Sequence, residues 1–233
     1  MELYEYIWKR KSTRKYDMEP LEPRQLEQIR LFAQDIKPLY PDIKIAYEIT
    51  SSIKGIFSVK APHYLIISSE ESNGYLENVG FMFQQMDLFL SNLNLGSCWL
   101  GMGKPPASLK TELPHVIALA FGKAIGTPYR ERSEFKRKSI ADISTGSDQR
   151  FDAVRVAPSA MNNQNWFFEA NNGKIDVYQK KAMIGMLEKL NKIDIGIALC
   201  HLFVATKHFG KEFVFSRETD KKKKGYIYTG TIV

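Results

Sequence analysis

Apolar residues along the chain switch between a three-to-four spacing and a two-residue spacing, and the switches mark the elements. Leu3, Ile7 and Arg10, with Tyr6 beside them, fit a short helix with its apolar side inward, and residues 11–16 then lose that rhythm. Pro20 and Pro23 bracket a turn, and Pro23 suits the first position of a helix running to about Ala33. Ile43 to Ile49 alternates with Lys44 and Glu48 and predicts a half-buried strand. Tyr64 to Ile67 predicts a short apolar strand between Pro62 and Ser68-Ser69. Residues 74–94 form the longest helical stretch. Leu76, Val79, Phe83, Met86, Leu90 and Leu93 recur at threes and fours, while Phe81, Met82 and Phe89 load the other faces. Such a helix is buried nearly all round. Its end is expected in a turn around Asn94 and Gly96, residues that accept positive φ. Val116 to Phe121 predicts another strand, and the polar, basic residues 126–142 read as a crossover.

Beyond the crossover the pattern predicts a helix from about Asp148 to Val156, closed by Pro158. Trp166 to Ala170 and Lys174 to Tyr178 read as strands around the hairpin signal Asn171-Asn172-Gly173. Glu188 to His208 is a second long helix, with Ile193, Ile197, Cys200 or His201, and Val204 at helical spacing and a stop at Gly210. Phe213 to Phe215 and Tyr226 to Tyr228 are expected to pair, with Lys221 to Lys224 in the exposed connection. One regularity joins the two halves. Leu76-Glu77-Asn78-Val79-Gly80 and Lys192-Ile193-Asp194-Ile195-Gly196 lie about 116 residues apart, each in a long helix that ends at a later glycine. This reads as a weak tandem duplication whose helices pack together, with Gly80 and Gly196 permitting close approach. Two unrelated helices with ordinary glycines are the alternative.

Composition narrows the class. The 233 residues are 44% hydrophobic and 25% charged, values of a globular protein, which excludes a disordered or collagen-like chain. Two cysteines, Cys98 and Cys200, are too few for a disulfide scaffold, and their apolar surroundings suit a reducing compartment. No apolar leader opens the sequence and no stretch approaches 18 uncharged apolar residues, so a cytoplasmic protein without a membrane span is expected. The net charge of +7 lies partly in residues 135–139 and in Lys221 to Lys224. No aromatic residues interleave those runs at a stacking spacing and no zinc-finger or helix-turn-helix pattern accompanies them, which argues against nucleic acid as a partner. An anionic small molecule and a solvated charged face both remain open.

Three segments carry candidate chemistry. In Arg10-Lys11-Ser12-Thr13-Arg14-Lys15-Tyr16, an extended backbone would set Arg10, Ser12 and Arg14 on one side. Two guanidiniums flanking a hydroxyl suit a phosphate or an electron-rich heterocycle, although a solvated basic segment has the same composition. Ala157-Pro158-Ser159-Ala160-Met161-Asn162-Asn163-Gln164-Asn165-Trp166 places a hydroxyl, carboxamides and an indole between a helix and a strand. Carboxamides offer both donor and acceptor to the edge of a ring, and an ordinary polar turn is the competing account. In residues 94–103, three glycines around Ser97-Cys98-Trp99-Leu100 expose backbone N–H groups and let a flat ligand approach. Cys98 has no histidine or acidic partner beside it, so a buried thiol is favoured over a nucleophile. His63, His115, His201 and His208 form no metal spacing.

Together these segments resemble the FMN-dependent nitroreductase family. Its R-x-S-x-R/K-x-F/Y motif is matched by Arg10, Ser12, Arg14 and Tyr16; its A-P-S-x-x-N-x-Q-P-W motif by Ala157, Pro158, Ser159, Asn162, Gln164 and Trp166; and its G-L-G-S-C-W-x-G segment by Leu95 to Trp99 and Gly101. Asn165 stands where the family usually has proline. The order also departs, because the family places A-P-S-x-x-N before the glycine-rich segment. A tandem chain accounts for this: residues 1–145 resemble one degenerate subunit, with the arginine motif and glycine-rich segment, and residues 146–233 resemble the other, with the A-P-S-x-x-N loop.

The resemblance implies a nitroreductase-like α+β fold with antiparallel or mixed sheet layers around long buried helices. It implies an FMN-dependent oxidoreductase that moves hydride from NAD(P)H to a nitroaromatic, quinone or similar small acceptor. The alternative is a flavin-binding protein without turnover. Arg10, Lys11, Ser12, Arg14 and Arg137 would serve the flavin phosphate and the N1/O2 edge of the ring. Cys98, Trp99, Leu100 and Gly101 would line the ring, and Pro158, Ser159, Asn162 and Gln164 would reach in from the other half. No side-chain nucleophile and no metal are implied. The chain would be a pseudo-dimer with one complete site, the second being lost where Lys54-Gly55-Ile56-Phe57 stands in place of an A-P-S-x-x-N loop.

Overall fold

The computed structural model describes residues 2–55, 59–181, 185–217 and 221–233. In chain order the elements are α1 (Tyr4–Ile7), α2 (Pro23–Asp35), β1 (Ile45–Thr50), β2 (His63–Ser69), α3 (Tyr75–Asn92), β3 (Gly96–Leu100) and β4 (His115–Gly122). Then follow α4 (Ile140–Ile143), β5 (Ser144–Thr145), α5 (Phe151–Arg155), β6 (Trp166–Asn171), β7 (Lys174–Lys180), α6 (Gly185–His208), β8 (Phe215–Ser216) and β9 (Tyr226–Ile232). One sheet has the order β1-β2-β4-β3 and is antiparallel throughout. The other has the order β5-β6-β7-β9-β8, with only β5 and β6 parallel. Helix α3 packs on the first sheet, α6 on the second, and the two helices pack on each other.

The helix seam explains both its glycines. A Cβ on Gly80 would lie 2.0 Å from the Ile193 carbonyl oxygen, and one on Gly196 would lie 2.0 Å from the Glu77 carbonyl oxygen. The two contacts exchange partners under the same 116-residue offset, the arrangement of an internal duplication with an approximate two-fold relation. The fold is α+β, with sheet layers around two long buried helices.

Most elements follow the apolar pattern, and the exceptions have local causes. β2 is buried along its whole length, because Leu65 and Ile67 join the main core while Tyr64 and Ile66 pack with Tyr16 and Cys98 on its other face. The hairpin between β6 and β7 turns on Asn172 and Gly173, both with positive φ as a two-residue primed turn requires. α5 begins only at Phe151, because the Asp148 carboxylate accepts from the Arg150 backbone N–H and guanidinium. The glycine-rich segment forms strand β3, paired with β4 from Gly96 opposite Gly122 to Leu100 opposite Ala118. Asn94 takes positive φ, but Gly96 does not. Gly96 is needed because a Cβ there would lie 2.5 Å from Thr13 Oγ1. β9 extends well past Tyr228, and the lysine run lies over its sheet: Lys221 pairs with Asp176 at 2.6 Å, and Lys223 pairs with Glu169 at 2.5 Å above the Phe167 ring.

Candidate functional site

A cavity of about 580 Å³ opens between the end of β3 and the first half of α6. Trp99, Leu100 and Gly101 form one wall; Leu190, Ile193 and Ile197 of α6 form the opposite one. The turn at Pro158 and Ser159 closes one side, and Ser12 and Arg14 enter from the extended amino-terminal segment. The lining is mostly apolar and draws on both sheet-and-helix layers.

The amino-terminal segment is extended because it pairs with β3. Thr13 N–H donates to Ser97 O at 2.8 Å, and Ser12 bridges Ser97 in parallel sense. Arg10 and Ser12 do share a side, with Arg10 Nη2 donating to Ser12 Oγ at 3.2 Å. Arg10 is only 2% exposed, and its Nε sits 2.9 Å from the buried carboxylate of Asp87 on α3. Asp87 also accepts from Ser97 Oγ and from Gln84 Nε2. Gln84 in turn accepts from Trp99 Nε1 at 3.2 Å. Its amide nitrogen faces His201 Nε2 of α6 at 3.3 Å, and His201 Nδ1 donates to Ala153 O at 2.9 Å. Burial pushes His201 down to about 3, so its ring is neutral and Nε2 accepts. A buried polar network thus runs beneath the cavity from one layer to the other.

Residues 157–165 form a tight turn in which Met161, Asn162 and Gln164 all have positive φ. Side-chain bonds hold it against the crossover. Asn162 Nδ2 donates to Lys136 O at 2.8 Å, its Oδ1 accepts from Arg137 Nη1 at 2.7 Å, and Gln164 Oε1 accepts from Lys138 N–H at 2.9 Å. Gln164 N–H donates to Ser159 Oγ at 3.0 Å. At the base of the turn, both oxygens of Asp194 accept from Ala160 N–H, at 3.1 and 3.0 Å.

Of the residues read from the sequence, Ser12, Arg14, Cys98, Trp99, Leu100, Gly101, Pro158 and Ser159 line the cavity. Arg10, Lys11, Arg137, Asn162 and Gln164 do not. Asn162 and Gln164 spend their carboxamides on the crossover, and Arg10 spends its Nε on Asp87. Sequence reading passed over Asp194, which lines the cavity and is 4% exposed. Its one signal was its place in the Lys192-to-Gly196 repeat. None of the four histidines lines the cavity, and no metal-binding cluster occurs among the described residues.

The electrostatics are lopsided. Burial together with Arg10, Arg130 and Arg155 pushes Arg137 down to about 10. Arg130 is lowered in the same way, by burial and then by Arg10, with Glu134 opposing. The buried Nε atoms of Arg130 and Arg137 have no hydrogen-bond partner among the described residues. Burial raises the Cys98 thiol, against Arg14 and Arg10. Cys98 is therefore expected to react with iodoacetamide at pH 7.5 at least tenfold more slowly than a free cysteine; mass spectrometry of a timed labelling series checks this.

The counterpart of the turn at 158–160 in the first layer is Pro38-Leu39-Tyr40, just before β1, and not residues 54–57, of which Ile56 and Phe57 lie outside the described residues. There Asn78, at the position of Asp194 under the offset, accepts from Leu39 N–H at 2.8 Å and Tyr40 N–H at 3.0 Å. A smaller cavity of about 370 Å³ lies at the start of α3. Beside it the Tyr40 ring packs against Gly74, where the larger site has only Ala160.

A family profile described as "Putative TM nitroreductase" matches residues 2–206. In structure the chain is similar to a "putative nitroreductase" from Thermotoga maritima, with 22% identity and a TM-score of 0.69, covering 100% of this chain and 93% of that one. It is also similar to a nitroreductase family protein from Clostridium difficile, with 18% identity and a TM-score of 0.49, covering 64% of this chain and 99% of that one. No curated protein matches the chain. No helix among the described residues is long and apolar enough to cross a membrane.

Proposed function

The chain belongs to the nitroreductase family whose profile it matches, and on that premise we propose that it binds FMN in the larger cavity and reduces a small acceptor at the expense of NAD(P)H. The observation that carries this reading is the arginine group at 10, 130, 137 and 155. Burial and the neighbouring guanidiniums lower Arg130 and Arg137, and the buried Nε donors of these two lack partners among the described residues. Clustered guanidiniums with open Nε donors fit a phosphate, which supplies charge and several acceptor oxygens at once. The adjoining apolar slot, with hydroxyls at Ser12 and Ser159 along its edge, fits a flat heterocycle with polar margins.

Bound FMN supplies two-electron redox chemistry, and nitroaromatics and quinones are the acceptors that suit it. The chain's own part is to bind and orient. Arg14 brings positive charge to the cavity edge, where it would favour negative charge on a bound ring. Arg137 and Asn162 fix the crossover against the 158–164 turn, whose Pro158 and Ser159 line the cavity. Ser12 is held by Arg10, and Arg10 by Asp87, which fixes the hydroxyl before any ligand arrives. Ile193 and Ile197 exclude water from one face.

The larger cavity, with its pseudo-symmetric counterpart smaller, predicts one FMN per chain in a monomer. Apoprotein mixed with excess FMN and passed through gel filtration with light scattering should carry one flavin per 233 residues. Failure to retain any flavin would defeat the proposal. Two flavins per monomer would restore the second site and leave the cofactor standing.

A further inference from the structure

The duplication supplies an internal comparison for one buried acid. Asp194 and Asn78 occupy matching places on α6 and α3, each two residues before its seam glycine, and each anchors the backbone of the turn that follows a proline. Asn78 does this with a carboxamide, which adds a bond from Nδ2 to Tyr40 O at 3.1 Å. The anchoring task therefore needs no ionisable group. What sets Asp194 apart is its position in the wall of the larger cavity, among apolar side chains.

We propose that Asp194 is the proton donor to the acceptor reduced in that cavity, a role that rests on the flavin reading above. Two-electron reduction of a quinone by one hydride leaves a hydroquinone anion that needs one proton on oxygen. The Asp194 carboxyl O–H bond breaks, an O–H bond forms on the acceptor, and the carboxylate left behind is protonated again from solvent through the cavity mouth. Electrons come from the reduced flavin and none from the protein, so the step balances.

The surroundings keep this proton in place at neutral pH. Burial pushes Asp194 up to about 8, and the Ala160 N–H opposes only in part. Among the groups sharing the cavity, Arg14 is the cation and Cys98 the other titratable side chain, and Arg14 is exposed at a different edge. On α6 itself, Glu188 and Lys192 pair with each other and line the smaller cavity, as does Glu77 of the facing helix. With no cation directly beside Asp194 among the described residues, the neutral acid is the favoured form below its titration point.

Asp194→Asn tests the role, since Asn78 shows that the anchor survives the change. Infrared difference spectra of the FMN-loaded protein between pH 6 and pH 9.5 should show a protonated-carboxyl band that titrates near 8 in the native protein and is missing in D194N. In stopped flow, quinone-driven reoxidation of the pre-reduced native protein should slow above pH 8. D194N should react at least tenfold more slowly at pH 6.5, without that fall, while binding FMN within about twofold of native. A D194N protein with native rates and a native pH profile, or an infrared band unchanged by the substitution, overturns the proposal. If D194N fails to fold, Asp194→Ala with added formate takes its place: recovery of the rate supports a missing proton donor and no recovery counts against it. If neither native nor variant protein binds FMN, the flavin reading falls and takes the donor role with it; the same carboxyl titration, recorded on the apoprotein, then distinguishes that outcome from a misassigned acid.

Discussion

Gly196→Ala is expected to destabilise the protein by about 3 kcal/mol, the upper end of the usual range for overpacking. The added carbon would meet the Glu77 carbonyl oxygen at 2.0 Å, and a backbone carbonyl inside a helix cannot rotate aside. The gain of roughly 1 kcal/mol that alanine brings to a helix interior is smaller than this clash and does not reverse the sign. Gly80→Ala should behave alike, because its carbon would meet Ile193 O at the same distance. Once either methyl has forced the helices apart, the second finds room, so the double variant should lose less than the sum of the singles. Gly185→Ala, in the same helix with nothing within 4 Å of the new carbon, is the control and should be neutral or mildly stabilising. Urea unfolding of the four variants checks the whole pattern. A native midpoint for G196A would mean that the seam is looser than described.

Arg137→Gln is expected to weaken FMN binding about 10- to 150-fold, the equivalent of a lost charge-assisted hydrogen bond at roughly 1.5–3 kcal/mol. The apoprotein should respond in the opposite sense or hardly at all. Burial and three neighbouring guanidiniums disfavour the charged form of Arg137, so removing the charge relieves repulsion. Loss of its bonds to Asn162 Oδ1 and Val156 O offsets part of that relief. A residue there for stability alone would give the reverse signature, with a weaker fold and unchanged affinity. Fluorescence titration with FMN, set beside thermal unfolding of the apoprotein, separates the two. Unchanged affinity in R137Q would move the phosphate site away from this cluster.

The layers were legible in the sequence where apolar spacing was strong. α3 and α6 carry hydrophobic residues on every face, and their repeated glycines point to the seam, with two unrelated helices as the alternative that the sequence leaves open. The β6–β7 hairpin declared itself through Asn172-Gly173. β3 did not, because its five residues, Gly96 to Leu100, are mostly buried on both faces and show no alternation. The site was legible as segments but not as contacts. Arg10 reads as a surface cation, and its partner Asp87 sits in a helix whose apolar neighbours hide it. The same masking concealed Gln84 and Asp194, polar groups scattered through helices that look uniformly hydrophobic, and left His201 as one member of a helical spacing. The turn at Pro38-Leu39-Tyr40 shares only its proline with the turn at 158–160, so position beside β1 identified it and composition did not.

The seam between α3 and α6 has a kinetic consequence. When two separate chains must meet to complete such a seam, its population depends on how much protein is present, and dilution takes it apart. Here both helices belong to one polypeptide, and the linking residues hold each at a high effective concentration near the other. Closure of the seam is a first-order event. Refolding rates and the unfolding midpoint should therefore be the same at nanomolar and micromolar protein, and scarcity in the cell would cost this fold nothing.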